Sequence, residues 1–307
     1  GLGDVYKRQD NPMCVSPETA SPFAPTTQLA CSPPCQTTTS THAAPRSTKV
    51  ASKTFTSNSQ ARIMSTKTRA LTRVLLRDDL RDWSTLIFTF IFPSVLLVVL
   101  ILTIADRVPG MDLTGEISSN VIAFGASFVG IFSGASHLAT WRENGMFTVM
   151  RTFPLSSRTV LTCQARSGVV MLITQAALLV VVAVSMGMRL KVTALAAVIP
   201  LALGYLLFFT LGVLLGILLP TMAGVSMAAN VIILGLGFLG GAIMPVTLLP
   251  HWAQIVAPWT PIYHLREAAT MPLIGVGTWI KAGTGMAYLL GVTALLAIVS
   301  ERTMRWE

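Results

Sequence analysis

From Trp83 onward the chain is dominated by six apolar stretches: Ser84 to Ala105, Ile117 to His137, Leu161 to Met186, Val192 to Leu219, Ala223 to Met244 and Ile280 to Val299. None carries a charged residue near its middle. Each reaches the roughly 20 residues that a helix needs to cross about 30 Å of hydrocarbon. An unpaired backbone amide in lipid costs several kcal/mol, so stretches of this length and character predict helices and exclude lipid-exposed strands or loops. The pattern predicts an all-α polytopic membrane protein with six transmembrane helices.

Two segments outside the spans have patterns of their own. Between residues 64 and 83, Arg69, Arg73, Arg77 and Arg81 recur every four residues, while Leu71, Val74, Leu75 and Leu80 occupy much of the remaining circumference. That spacing predicts an interfacial amphipathic helix whose basic stripe meets lipid phosphates and whose apolar side sinks into the headgroup boundary. A solvated juxtamembrane helix is the alternative reading. Residues 1–63 are rich in Pro, Ser and Thr and lack apolar periodicity, so the expectation is disorder. They also start without Met, and the expectation is a non-native translated leader with Met64 as the natural start.

Composition narrows the class further. Hydrophobic residues make up 52% and charged residues 11% of the chain, and the mean hydropathy is +0.66; a soluble globular domain has about 25% charged residues. The net charge of +9 is explained by a bilayer, because basic residues gather in cytoplasmic loops. Nucleic acid is excluded as a partner, since no basic run is interleaved with aromatics. Counting Lys and Arg by loop gives 11 on the side of Arg81, Arg142 and Arg302 against 5 on the side of Arg107, Arg189 and Lys281. The positive-inside rule therefore places the N-terminus and C-terminus in the cytoplasm. The four cysteines lack the spacing of a zinc or disulfide framework.

Several kinds of chemistry are missing. No ionisable residue lies at mid-span, where a proton or sodium relay would need one. The deepest polar groups include Ser127, Ser133, Thr174, Gln175 and Asn230, of which Ser127, Ser133 and Asn230 are candidates for lining a pathway. Three small-xxx-small pairs, Gly130 and Gly134, Gly212 and Gly216, and Gly237 and Gly241, predict close helix packing, inside the chain or against a second copy. The dipeptide Gly-Lys does not occur, so there is no phosphate-cradling loop. No catalytic constellation is expected, and no metal: His251 and His264 share a segment with Glu267 but lack ligand spacing.

The most distinctive hydrophilic stretch joins the second and third spans. Trp141 opens a charged turn, Met146, Phe147, Val149 and Met150 form a short helical pattern, and Pro154 breaks it before a second helical start capped by Ser156 or Ser157. This knuckle resembles the coupling loop in permease subunits of type 2 ATP-binding cassette (ABC-2) transporters, through Glu143, Gly145 and Phe153-Pro154-Leu155-Ser156, with Phe153 where the family usually has Thr. A second likeness follows the fifth span. Pro245, Leu249-Pro250, Trp252, Pro258 and Pro261-Ile262-Tyr263 resemble the family's outer re-entrant segment, here residues 245–279. Independently of that resemblance, Gly, Pro and Trp between Met244 and Trp279 disfavour a continuous span and suit the membrane interface.

The resemblance covers Met64 to Glu307. It implies that residues 84–307 form a six-span ABC-2-type transmembrane domain with a coupling loop at 141–160. Arg142, Glu143, Gly145, Met146, Phe147, Arg151 and Pro154 would then face an ATPase. It further implies a separate cytoplasmic ABC ATPase subunit that uses ATP and Mg, with no cofactor bound by this chain, and a second permease chain, identical or not. The expected location is the cell (plasma) membrane, in a bacterium the inner membrane. The expected function is ATP-driven export of a hydrophobic or amphipathic substrate such as a drug, antibiotic or lipid. A non-transporting membrane scaffold or sensor is the alternative.

Overall fold

The computed structural model describes residues 68–81, 83–104, 113–145, 157–244, 246 and 249–303, and the account below concerns these. Residues 1–63, Met146, Phe147, Arg151, Pro154 and Pro245 lie outside them. Helix α1 covers residues 68–79, and α2 runs through 83–104 as an α–π–α continuum. Then follow α3 (Leu113–Glu143), α4 (Ser157–Ser185), α5 (Val192–Leu218, its first turns 3-10) and α6 (Met222–Leu239). Short α7 (His251–Val256) with a 3-10 turn, α8 (Pro261–Ile274) and α9 (Trp279–Thr303) complete the order. Helices α3, α4, α5, α6 and α9 are long and apolar enough to cross a membrane, and α2 adds the shorter apolar stretch Thr89–Ile104. The chain is an all-α polytopic membrane protein.

The fifth expected span, Ala223 to Met244, is shorter than its sequence suggests. Helix α6 stops at Leu239 because Gly241 adopts φ +78°, and Ala242 N–H returns to the Gly237 carbonyl at 2.9 Å. Such a left-handed closure is open to glycine at little cost. The second span is longer than expected: α3 continues through 31 residues, about 46 Å at the helical rise, so it projects past the hydrocarbon.

Helix α3 is the axis of the bundle. Of its most apolar 18-residue window 89% is buried within the chain, against 17% for α9. Its small residues make this possible. Gly130 and Gly134 of α3 lie against the backbone of α5, and Gly212 and Gly216 of α5 against α3: a Cβ on Gly130 would lie 2.7 Å from the Tyr205 carbonyl oxygen, one on Gly134 would overlap Phe209 O, and one on Gly212 would overlap Ile131 O. Two of the three glycine pairs therefore serve internal packing, backbone against backbone. Beside this seam, Phe124 and Phe128 pack with Phe92 of α2, and Phe132 stacks on Phe128.

A break in α2 has a covalent cause. Pro93 has no N–H, so the carbonyl of Thr89, four residues earlier, loses its helical donor. The helix widens to a π turn over Ile87–Ile91, with Phe92 N–H reaching Ile87 O. Buried Gln175 of α4 then donates from Nε2 to Thr89 O at 2.7 Å. Gly125 of α3 leaves room for that amide, since a Cβ there would come within 2.8 Å of Gln175 Nε2. Thr174, the neighbouring polar residue, donates to Val170 O of its own helix.

Candidate functional site

Two polar clusters lie at the ends of α3. At the C-terminal end, Arg142 Nη1 donates to Ile217 O and, at 3.4 Å, to Leu219 O. These carbonyls close α5, where the helix dipole is negative and a guanidinium is favoured. The next residue does the opposite job: Glu143 Oε2 accepts from Met222 N–H at 3.0 Å at the positive start of α6. Thr221 caps the same start by accepting from Gly224 N–H at 3.2 Å. Two adjacent charges of opposite sign thus bind opposite helix ends across the α5–α6 turn.

Arg142 and Glu143, expected to face an ATPase, direct their hydrogen bonds to the α5–α6 turn. Gly145 ends α3 with φ +66°, its N–H reaching Arg142 O at 3.2 Å. A Cβ on Gly145 would meet nothing within 4 Å. Its demand is one of backbone conformation, not of space.

One turn deeper lies a cluster that sequence reasoning missed. His137, at the end of the second apolar stretch, is buried. Its Nε2 lies 2.9 Å from Asp79 Oδ1 and its Nδ1 3.7 Å from Asp78 Oδ2. Ser167 of α4 donates to Asp79 Oδ2 at 2.6 Å, and Trp141 stacks on the imidazole at 5.7 Å between ring centroids. A cavity of about 270 Å³ opens beside them, lined by Asp78, Asp79, Arg81, Ser136, His137 and Thr140.

Helix α1 is therefore docked on the bundle through Leu75 and Asp79, both buried. The Cys163 thiol also reaches the Thr68 carbonyl at 3.6 Å. The signal was present in the spacing: Leu71, Leu75 and Asp79 recur at four-residue intervals and share one face. Arg69, Arg73 and Arg77 are exposed as the stripe predicts, whereas Arg81 stands beyond the helix end in a turn closed by its N–H to Asp78 O. Val74 and Leu80, expected on the apolar side, face outward.

The candidate pathway residues occupy packed positions. Ser127 is fully buried and donates to Ala123 O of its own helix. Ser133 Oγ lies 3.4 Å from Tyr205 Oη, in a cluster where Gln164 donates to Ser133 O at 2.7 Å and Tyr205 to Ala165 O at 2.9 Å. Asn230 returns to Ser226 O. Ser133 thus belongs to a polar knot joining α3, α4 and α5; Ser127 and Asn230 satisfy themselves within their own helices.

At the far end of α3 the chain doubles back between α6 and α9. Pro250 precedes α7, Pro258 sits in the following 3-10 turn and Pro261 opens α8 at a position where its missing N–H costs nothing. Trp252 and Trp259 are exposed, and Tyr288 of α9 donates to Trp259 O at 2.7 Å. Leu265 of α8 fills the space left by Gly204 of α5. Tyr263 carries the Arg266 guanidinium 5.0 Å above its ring centroid. Arg266 is largely buried, and its ion pair is with Glu116 of α3 at 4.0 Å. His264 contacts Pro258 O and the Tyr288 ring rather than His251.

The family profile described as ABC-2 type transporter matches residues 66–273. The comparison with curated proteins gave no match. The matched region runs from α1 through α8 and takes in both polar ends of α3; with this match over more than half its length, the chain belongs to the ABC-2 type transporter family.

Proposed function

We propose that this chain is the permease of an exporter driven by a separate cytoplasmic ATPase, which docks on the connection after Glu143, and that it works beside a second permease chain. The observation that carries this reading is the double tie of Arg142 and Glu143 to the α5–α6 turn. Force applied to the segment after α3 reaches α5 and α6 directly, so three helices move as one body. Closure of two ATPases around ATP and Mg would then tilt these bodies between inward-open and outward-open arrangements, a two-state shift carried by rigid elements.

The outward apolar faces of α6 (Met227, Val231, Phe238) and α9 (Leu290, Leu295, Ile298) offer surface for lipid or for the second chain. A pathway built from such helices suits a hydrophobic or amphipathic cargo, and the basic α1 stripe suits an anionic inner leaflet, as in a bacterial inner membrane.

The test is co-reconstitution with a candidate ATPase in proteoliposomes. Glu143→Arg places a cation at the start of α6, and Gly145→Trp strains the end of α3. Both are expected to abolish cargo-stimulated ATP hydrolysis while leaving the ATPase's basal rate intact. Undiminished stimulation in both variants would sink the coupling assignment.

A further inference from the structure

The end of α3 remote from Glu143 borders a second cavity, of about 210 Å³, where α3, the C-terminal half of α8 and the start of α9 meet. Glu116, Arg266, Glu267 and Lys281 line it, with the hydroxyl-bearing Thr270 and Thr278. Val276, Trp279 and Ile280 beside it are exposed. A small polar chamber thus opens at an apolar surface, and its four charges sum to zero.

Arg266 is the unusual member. Only 12% of its side chain is exposed, and the nearest carboxylate oxygen of Glu116 stands 4.0 Å away, beyond hydrogen-bond length. Its Nε is buried and has no partner among the described residues. A buried donor left unpaired is costly, and a guanidinium presents a planar fork of donors that matches a phosphate. The Tyr263 ring lies against the guanidinium and holds it in place. The remaining groups limit what could bind. A simple anion would meet Glu116 and Glu267, and a simple cation would meet Arg266 and Lys281. A group carrying both signs satisfies all four.

We propose that this pocket holds the zwitterionic headgroup of a phospholipid, its phosphate on Arg266 and Lys281 and its ammonium on Glu116 and Glu267. A lipid is favoured over a soluble molecule because the apolar rim of Val276, Trp279 and Ile280 continues the chamber with a surface suited to acyl chains. The inference uses the membrane placement of the chain but not its coupling to an ATPase, so it stands or falls separately from the transport reading.

The experiment measures binding to the full chain in detergent by native mass spectrometry. The probes are short-chain phosphatidylethanolamine, phosphatidylglycerol with the same chains, and free O-phosphoethanolamine. Phosphatidylethanolamine is expected to bind about tenfold tighter than either of the others. Glu267→Gln and Lys281→Gln lie at solvent-accessible positions, with folding checked by size exclusion; Glu267→Gln should remove that preference, Lys281→Gln should weaken both lipids alike, and Arg266→Gln should abolish binding of both. Equal affinity for the two lipids, an unchanged preference in Glu267→Gln, or undiminished binding of both lipids in Lys281→Gln overturns the pocket assignment. Equal affinity for the free headgroup overturns the lipid as its source.

Discussion

The waist of α3 and its C-terminal end are held by opposite devices. At the waist, glycines bring two backbones into contact, with no side chain that could rearrange. At the end, two long charged side chains reach across open surface to the α5–α6 turn. The first device resists sliding, because any displacement drives backbone into backbone. The second tolerates adjustment, because exposed charges near helix termini are worth only about 0.3–1 kcal/mol each. A helix built this way is stiff where it must carry a movement and adaptable where the movement enters.

The contrast can be broken first at the waist. Gly134→Leu would force a side chain into the Phe209 carbonyl, which cannot move aside, and a loss of at least about 3 kcal/mol is expected. Fluorescence-detected size exclusion should show little monodisperse protein. Gly235→Leu is the control: a Cβ there meets nothing within 4 Å, so folding should be preserved. If both variants behave alike, the seam is not what holds the bundle.

Next in size is the docking of α1. Asp79→Ala strands the Ser167 hydroxyl and removes the partner of buried His137, at an expected cost of about 1–3 kcal/mol. Thermal melting in detergent reads the loss, and limited proteolysis should show earlier cleavage between residues 68 and 81. Gln175→Leu sharpens the picture of α2. It leaves the Thr89 carbonyl without a donor and is expected to cost about 0.6–1.7 kcal/mol, the range for hydrogen bonds between membrane helices. A melting temperature unchanged from wild type would mean that the π turn satisfies itself.

The smallest stability effect belongs to the adaptable end. Glu143→Ala should lower stability by less than about 1 kcal/mol yet remove most cargo-stimulated ATP hydrolysis. Stability and coupling would then separate at this position, whereas at Gly134 they fall together. Proportionate losses of both would erase the distinction between waist and end.

Much of the architecture was readable without coordinates. The apolar stretches were long enough to announce helices, and in lipid nothing else satisfies the backbone, so the positions of all six followed from pattern alone. Their ends were less legible. Helix α6 closes early because of a left-handed turn at Gly241 inside an apolar run, and hydropathy does not register dihedral angles. The polar contacts were harder still. Spacing puts Asp79 on one face with Leu71 and Leu75 but names no partner for it, and nothing in the segment around Arg266 names one for that guanidinium. Each acquires its partner from a helix far away in sequence, His137 in one case and Glu116 in the other.

The sequence by itself determined that the chain is helical, crosses a membrane several times and carries glycine pairs able to bring helices close, since these properties depend on composition and spacing within single segments. Only the tertiary structure decided that Gly130 and Gly134 meet the α5 backbone at Tyr205 and Phe209, that Gln175 serves the carbonyl freed by Pro93, and that Arg142 and Glu143 bind the α5–α6 turn. Each of those contacts joins residues on different helices. A period along one helix specifies which face is sticky, but the identity of what it meets is set by how all the helices share a limited volume.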